Sequence, residues 1–291
     1  MRGFAEPYLV IGAKGMLGTD LVAQLQGAGI ETVSMDVEEI DIGDPDSVEE
    51  AFAEARPRTV INVAAVTDVD GCEAIPDKAF RVNATGPELL ARACAAARCS
   101  LVHLSTDYVF DGLTRTPYRE EDPMNPLGVY GRSKAEGEVL VRQALPEDHC
   151  IVRTQWLFGL NGKNFVETIL NLAEKQDTLR VVDDQHGVPT YTPDLAAALL
   201  TLCRSGARGT FHVTNSGITT WYDFALRILD RAGRGSVRVE PTSTTELRRA
   251  APRPLYSVLD TTRFVALAGR PLRSWQDALD DYLQARRPGR D

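Results

Sequence analysis

Cysteine and histidine are scarce in this 291-residue chain, with five of the one and four of the other. The cysteines, Cys72, Cys94, Cys99, Cys150 and Cys203, are odd in number and form no CxxC pair, which argues for reduced thiols and against a disulfide framework or a zinc site. Four scattered histidines build no metal cluster, so no metal is expected. Long apolar runs are also missing. The stretch 195–202 falls well short of the roughly 18–20 residues that a bilayer crossing takes, so no membrane partner is expected. The opening residues show no basic region followed by an apolar run and a small-residue cleavage site, so no signal peptide is expected and the cytoplasm is the expected location. Excess positive charge is absent as well. With 32 Lys and Arg against 41 Asp and Glu the net charge is −9, which disfavours nucleic acid, since duplex binding rests on neutralising phosphates.

What is present is ordinary globular composition, 43% hydrophobic and 25% charged, over enough chain to bury a core and form a cleft. Short β-rich runs alternate with helical patterns through the first half. Tyr8-Leu9-Val10-Ile11 reads as a strand, with a helix over about 15–28 whose Leu17, Leu21, Val22 and Leu25 share a face. Thr32-Val33-Ser34-Met35 is a second strand, and Asp44-Pro45 opens a helix as cap and first-turn proline. Residues 59–63 and 101–104 read as further strands, with a helix over 89–97 between them. The pattern predicts an α/β, Rossmann-type, doubly wound parallel sheet. After Trp156 the alternation loosens, with helices over 164–175 and 222–232, which predicts a smaller lobe. The expected division is residues 1–155 with 187–215 for the sheet domain, and 156–186 with 216–291 for the lobe. The tail from Arg286 to Asp291 is expected to be loose.

Gly12-Ala13-Lys14-Gly15-Met16-Leu17-Gly18 joins the first strand to the first helix. Glycines there permit a sharp turn, bare-backbone approach to a pyrophosphate and close packing of helix on strand, while the helix N-terminus offers N–H groups to the anion. The predicted ligand is a dinucleotide. Asp36, at the end of the second strand, suits an adenosine ribose and favours NADH, whereas Lys14 suits a 2′-phosphate and favours NADPH. The coenzyme preference stays open between the two.

Tyr130-Gly131-Arg132-Ser133-Lys134 begins a helical pattern, and a spacing of four puts phenol and ammonium on one face. Ser105-Thr106-Asp107-Tyr108 follows the strand at 101–104, at the carboxyl end where a parallel sheet opens to ligands. Ketone reduction by hydride builds charge on oxygen. Tyr130 would supply the proton, Thr106 would hold the carbonyl oxygen, and Lys134 would grip the nicotinamide ribose. A free phenol ionises near 10, and bringing it toward neutrality takes roughly 4 kcal/mol of preferential phenolate stabilisation, expected here from Lys134 and the oxidised nicotinamide.

Together these elements resemble the extended short-chain dehydrogenase/reductase superfamily. Further segments resemble the dTDP-4-dehydrorhamnose reductases within it: Glu39-Ile40-Asp41-Ile42, Asn62-Val63-Ala64-Ala65-Val66-Thr67-Asp68-Val69-Asp70, Ser105-Thr106-Asp107-Tyr108-Val109-Phe110-Asp111-Gly112, Arg153-Thr154-Gln155-Trp156-Leu157-Phe158-Gly159 and Arg253-Pro254-Leu255-Tyr256-Ser257-Val258-Leu259-Asp260. The resemblance implies reduction of the 4-keto group of dTDP-4-dehydro-L-rhamnose to dTDP-L-rhamnose by NADPH or NADH. It implies Thr106, Tyr130 and Lys134 as catalytic residues. It places Gly12, Lys14, Gly15, Met16, Leu17, Gly18, Asp36, Asp41, Ile42, Ala64, Ala65, Thr67 and Asn83 on the cofactor side, with Tyr130 and Lys134. Thr106, Asp107 and Trp156 fall on the sugar side, and Arg253 is the candidate for diphosphate contact in a substrate-binding lobe. Some relatives dimerise through a magnesium site of glutamates; Asp20 matches one such position only loosely, which leaves magnesium and a homodimer open.

Three other readings compete. A sugar 4,6-dehydratase would carry Thr-Asp-Glu, but Tyr108 stands where the glutamate would be. A sibling reductase acting on another dTDP-4-keto sugar, of the dihydrostreptose type, shares every motif above. A non-catalytic regulatory subunit, like the β subunit of methionine adenosyltransferase, would keep the cofactor fold, yet Thr106, Tyr130 and Lys134 together favour an enzyme.

Overall fold

In the computed structural model, which describes residues 3–286, the glycine turn after β1 (Tyr8–Ile11) leads into α1 (Met16–Gly27), and β2 (Thr32–Met35) follows. Helix α2 (Pro45–Ala55) starts where the Asp44 carboxylate accepts from the Asp46 N–H at 3.2 Å, with Pro45 in the first turn, where its missing N–H costs nothing. After β3 (Thr59–Asn62) come α3 (Val69–Ala74), α4 (Pro76–Phe80) and a π-helical turn (Arg81–Thr85), which runs into α5 (Gly86–Ala97). Strand β4 (Ser100–Thr106) ends in a 3-10 turn (Asp107–Val109). Helix α6 (Val129–Ala144) and β5 (His149–Thr154) complete the first half.

The second half is broken into shorter pieces: β6 (Leu157–Phe158), α7 (Phe165–Ala173), β7 (Thr178–Val182), β8 (His186–Gly187) and β9 (Thr190–Tyr191). Helix α8 (Thr192–Ser205) and β10 (Gly209–His212) return to the sheet. The chain then runs through β11 (Thr219–Thr220), α9 (Trp221–Arg231), β12 (Arg238–Thr242), α10 (Thr244–Leu247), α11 (Thr262–Ala268) and α12 (Trp275–Arg286). Residues 287–291, most of the tail expected to be loose, lie outside the described residues.

Six strands pair in parallel in the order β10-β5-β4-β3-β1-β2. Strand order reverses between β1 and β3, so loops from their carboxyl ends diverge to opposite faces and leave a crevice between them. The apolar strands are covered on both faces, as a parallel sheet requires. On one face Val10, Ile61, Val102 and Val152 meet Leu17, Leu21 and Leu25 of α1 and Leu195 and Leu199 of α8. On the other, Leu9, Ile11, Val60 and Leu101 meet Val48 of α2, Leu90 of α5 and Val141 of α6. A separate core joins α7, α9 and α12 around Phe158, Phe224, Ile228 and Tyr282. Phe264 of α11 packs into the sheet core, although the expected division assigned 216–291 to the lobe.

Candidate active site

The crevice at the β1/β3 switch is a cleft of about 890 Å³ lined from both halves. Its floor is the turn after β1. Gly12 adopts φ +85°, and a Cβ there would stand 2.7 Å from the Ala64 nitrogen; one on Gly18 would stand 2.0 Å from the Gly12 carbonyl oxygen. Neither position admits a side chain. The Met35 carbonyl ties the turn down, accepting from Gly12 N at 3.0 Å and Ala13 N at 3.2 Å. Gly15 precedes α1 and offers it no side-chain cap, so the first N–H groups of the helix face the cleft. Bare backbone beside an open helix N-terminus fits the pyrophosphate of a dinucleotide.

Beyond the turn, both Asp36 carboxylate oxygens accept from backbone, Oδ2 from Lys14 N at 2.7 Å and Oδ1 from Val37 N at 2.8 Å. The Lys14 ammonium turns to Glu38 Oε2 at 2.8 Å and Glu39 Oε1 at 2.9 Å, and these glutamates raise its proton affinity. Asp41 and Ile42 line the same end, with Arg81 donating to Asp41 at 2.5 Å and holding its carboxyl below the ordinary value. Ala64, Ala65 and Thr67 form the wall after β3.

Asn83, expected on the cofactor side, stands behind that wall instead. Its Oδ1 accepts from Val66 N at 2.9 Å, while Nδ2 donates to Val66 O at 3.0 Å and to Ser133 Oγ at 3.1 Å. The Ser133 hydroxyl in turn donates to the Tyr130 carbonyl at 2.8 Å. Asn83 is therefore a clamp between the β3 loop and the first turn of α6, with its polar atoms committed to protein partners.

Thr106, Asp107, Tyr130, Lys134 and Trp156 converge on the opposite wall. The Thr106 hydroxyl, at the end of β4, donates to Asp107 Oδ1 at 2.9 Å and accepts from Tyr108 N at 3.2 Å. Asp107 is buried and its Oδ2 has no hydrogen-bond partner; burial pushes its carboxyl up to about 6. The Thr154 hydroxyl, opposite Thr106 in the sheet register, is likewise buried, unpartnered and on the cleft wall. Unsatisfied buried groups of this kind are costly, and they are common where a ligand completes the bonding.

Burial also raises the Tyr130 phenol, an effect partly offset by the Thr106 hydroxyl beside it. Lys134, expected to lower that phenol together with the oxidised nicotinamide, is engaged with other partners in this structure. Lys134 donates to the Leu104 carbonyl at 2.7 Å and lies 3.5 Å from His103 Nε2, and burial brings its ammonium down to about 8. Behind this wall Glu138 accepts from Arg153 Nε at 2.8 Å and Nη2 at 2.7 Å, from Arg142 at 2.7 Å and from Ser105 Oγ at 2.6 Å. That buried cluster joins α6, which carries Tyr130 and Lys134, to the ends of β4 and β5.

Trp156 turns into the cleft through a left-handed backbone, φ +49°, and lies flat on Trp221 at the start of α9. Tyr108 and Trp221 also line a second cavity of about 530 Å³ in the lobe, beside Arg180, Gln185, Arg249 and Arg253. Arg253 is here and not on the wall of the main cleft. It donates to Asp70 Oδ1 at 3.1 Å and Oδ2 at 2.8 Å, holding that carboxyl down to about 2. Sequence reasoning passed over Arg81, Thr154 and Trp221. Only Thr154, next to the recognised Gln155-Trp156 pair, carried a local signal. Asp20, the loose match to a magnesium position, donates nothing and accepts from Thr192 Oγ1 at 2.5 Å and Asn161 Nδ2 at 3.0 Å. Among the described residues, no group of three or more His, Cys, Asp or Glu side chains could hold a metal ion.

The family model described as RmlD substrate binding domain matches residues 7–287. The spore coat polysaccharide biosynthesis protein SpsK of Bacillus subtilis strain 168 is 45% identical over 278 residues, covering 96% of this chain and 97% of its own. A dTDP-4-dehydrorhamnose reductase of Streptomyces griseus is 44% identical over 291 residues, covering 98% and 96%. Among solved structures, the dTDP-4-dehydrorhamnose reductase of Bacillus anthracis strain Ames in complex with NADP aligns with a TM-score of 0.92 at 35% identity, over 98% of this chain and 100% of that one.

Proposed function

This chain belongs to the RmlD substrate binding domain family, and from that premise we propose that it reduces the 4-keto group of dTDP-4-dehydro-L-rhamnose to dTDP-L-rhamnose with NAD(P)H. The observation that carries the reading is that one cleft holds both the glycine cradle and the Thr106, Tyr130 and Lys134 side chains. Gly12, Gly15, Met16, Leu17 and Gly18 would hold the pyrophosphate, Asp36 and Lys14 the adenosine ribose end, Asp41, Ile42, Ala64, Ala65 and Thr67 the adenine and the path along the sheet. The reduced dinucleotide supplies the hydride when bound.

Tyr130 delivers the proton from its phenol to the ketone oxygen, and the Thr106 hydroxyl donates to the same oxygen as charge develops there. Reaction needs the phenol to give up its proton more readily than burial alone allows. Lys134, swung from Leu104 O toward the cleft, brings the positive charge that lowers it. The unpartnered Asp107 and Thr154 oxygens are placed to bond sugar hydroxyls, and Trp156 gives a flat apolar face to the ring. The cavity beside Arg253 takes the nucleoside diphosphate half, where Arg253 and Arg249 meet the phosphates.

Incubating the protein with NADPH and dTDP-4-dehydro-L-rhamnose tests this. Loss of the reduced-nicotinamide absorbance, with dTDP-L-rhamnose as the product, is expected. Tight NADPH binding with no turnover would mark a non-catalytic regulator. Turnover confined to a different dTDP-4-keto sugar would move the chain to a sibling reductase.

A further inference from the structure

Lys134 has a neighbour that the reaction does not use. His103, in the middle of β4, is fully buried, with Nδ1 3.3 Å from Asn62 Nδ2 and Nε2 3.5 Å from Lys134 Nζ. The direction of these contacts is set from one end. Asn62 Oδ1 accepts from the backbone N–H of Ala64 at 3.1 Å, and that donor cannot reverse. The Asn62 amide is thereby oriented with its NH2 toward His103. Facing a donor, Nδ1 must accept, and a neutral imidazole that accepts at Nδ1 carries its proton on Nε2.

The imidazolium is excluded by the same geometry, since it would set two donors face to face. Burial also depresses His103 protonation strongly. The Nε2–H then points at the lysine nitrogen. An amine has a lone pair to receive it, whereas an ammonium presents only hydrogens.

We propose that Asn62 and His103 are positioning residues for the reductase: a one-way chain from Ala64 N–H through Asn62 and the His103 Nε2–H tautomer favours the neutral amine of Lys134 over its ammonium. The remaining charged groups about Lys134 are few. Glu138, one turn on along α6, favours the ammonium, but Arg153 and Arg142 are committed to it. Tyr130 is one turn back on the same helix, and Asp107, in the turn after β4, acts on Tyr130. In this position beside Leu104 O and His103 the lysine therefore gives up its proton more readily than a free ammonium, and turning toward the cleft parts it from the His103 Nε2–H and restores the ammonium that lowers the phenol. The inference borrows from the proposed function only the idea that Lys134 serves Tyr130.

Its test needs no turnover. Long-range proton–nitrogen correlation spectra of the histidine-labelled, cofactor-free protein resolve four histidines, with His103 assigned by its disappearance in His103→Gln. His103 is expected as the Nε2–H tautomer throughout the neutral range; an Nδ1–H tautomer or an imidazolium in the wild type overturns the proposal by itself. Asn62→Asp keeps an acceptor for Ala64 N–H and turns the second oxygen into an acceptor, so His103 should switch to Nδ1–H. The Lys134 ionisation, followed by carbon NMR of the five lysines, should then rise by about one pH unit. In Asn62→Asp combined with His103→Phe the rise should be largely lost; an undiminished rise would assign the effect to the new carboxylate and refute the chain. Correct tautomers in a protein that reduces no sugar nucleotide would refute the function and leave standing the chain and its effect on Lys134.

Discussion

The Trp156 indole lies on that of Trp221 with ring centroids 3.7 Å apart and an interplanar angle of 13°. One comes from the turn after β5 and the other from the start of α9, so the stack fastens the sheet half to the lobe; both rings line the main cleft, and Trp221 lines the second cavity as well. An aromatic pair contributes about 0.5–1.5 kcal/mol beyond burial. Trp221→Ala should raise KM for the sugar nucleotide roughly 3- to 10-fold through a less well held Trp156. KM for NADPH should change little. Steady-state kinetics in each substrate separately would show it, and a loss confined to the NADPH term would contradict the placement of the sugar beside Trp156.

Tyr130→Phe removes the proposed proton donor and leaves the ring against Tyr108, 5.4 Å away and edge-on. Turnover should drop by about 100-fold or more, the scale of a lost general acid. NADPH affinity, measured by fluorescence titration, should stay near the wild-type value. Wild-type turnover in this variant would remove Tyr130 from the mechanism.

Much of this was readable before the fold was known. The glycine turn, the Asp44-Pro45 helix start and the four-residue spacing of Tyr130 and Lys134 are local features, and local chemistry decides them. Strand β5 is not among the strands predicted above, because its apolar run, Cys150-Ile151-Val152, is short and bounded by His149 and Arg153. Their burial makes sense only once His149 reaches the Leu145 carbonyl at 2.6 Å and Arg153 meets Glu138. Asn83 is placed on the cofactor side by the family resemblance alone, and nothing in one sequence reveals that Val66 and Ser133 occupy its amide. The lobe was legible only in outline. Strands of two residues, such as β6, β8, β9 and β11, have no periodicity to read, and long-range pairing creates them.

Beside the glycine turn the Lys14 charge is shared with Glu38 and Glu39, all three exposed. A 2′-phosphate must compete with those carboxylates for the ammonium. Lys14→Ala should therefore raise KM for NADPH more than for NADH. Glu38→Gln with Glu39→Gln should shift the ratio of kcat/KM toward NADPH, by no more than about fivefold given the weakness of exposed pairs. Equal effects on both coenzymes would retire the 2′-phosphate role of Lys14.

Asp107 should make the ligand-free protein less stable as pH rises. Its carboxyl ordinarily ionises at 3.8 and is pushed by burial to about 6, so between these values the folded state holds a proton that the unfolded chain has lost. Stability from this group is complete below the lower value and disappears as pH climbs through the upper one. Asp107→Asn escapes the burial of a charge, while its oxygen still accepts from Thr106. At pH 8 it should be more stable than wild type by about 1–3 kcal/mol, with the gain gone near pH 4. Thermal melts of both proteins across this range give the answer, and a gain independent of pH would sink the assignment. Activity should fall in the same variant, because the group that strains the fold is the one proposed to bond the sugar.

Glu138 presents the opposite case, a buried charge fully matched. Burial alone would raise its carboxyl, yet Arg153 and Arg142 bring it below the ordinary value. Its side chain and that of Arg153 are essentially inaccessible, whereas Arg142 is 32% exposed. Glu138→Ala would strand the Arg153 guanidinium without a counter-charge, at a cost of about 3–5 kcal/mol in chemical denaturation. Arg142→Ala, at the exposed side, should cost under about 1 kcal/mol. Replacing both partners, Glu138→Leu with Arg153→Met, should cost less than Glu138→Ala alone, since no unpaired charge remains and apolar groups fill the space. If the single variant proves the milder one, the pair does not hold α6 against the ends of β4 and β5, and the positions of Lys134 and Thr106 must be fixed by other contacts.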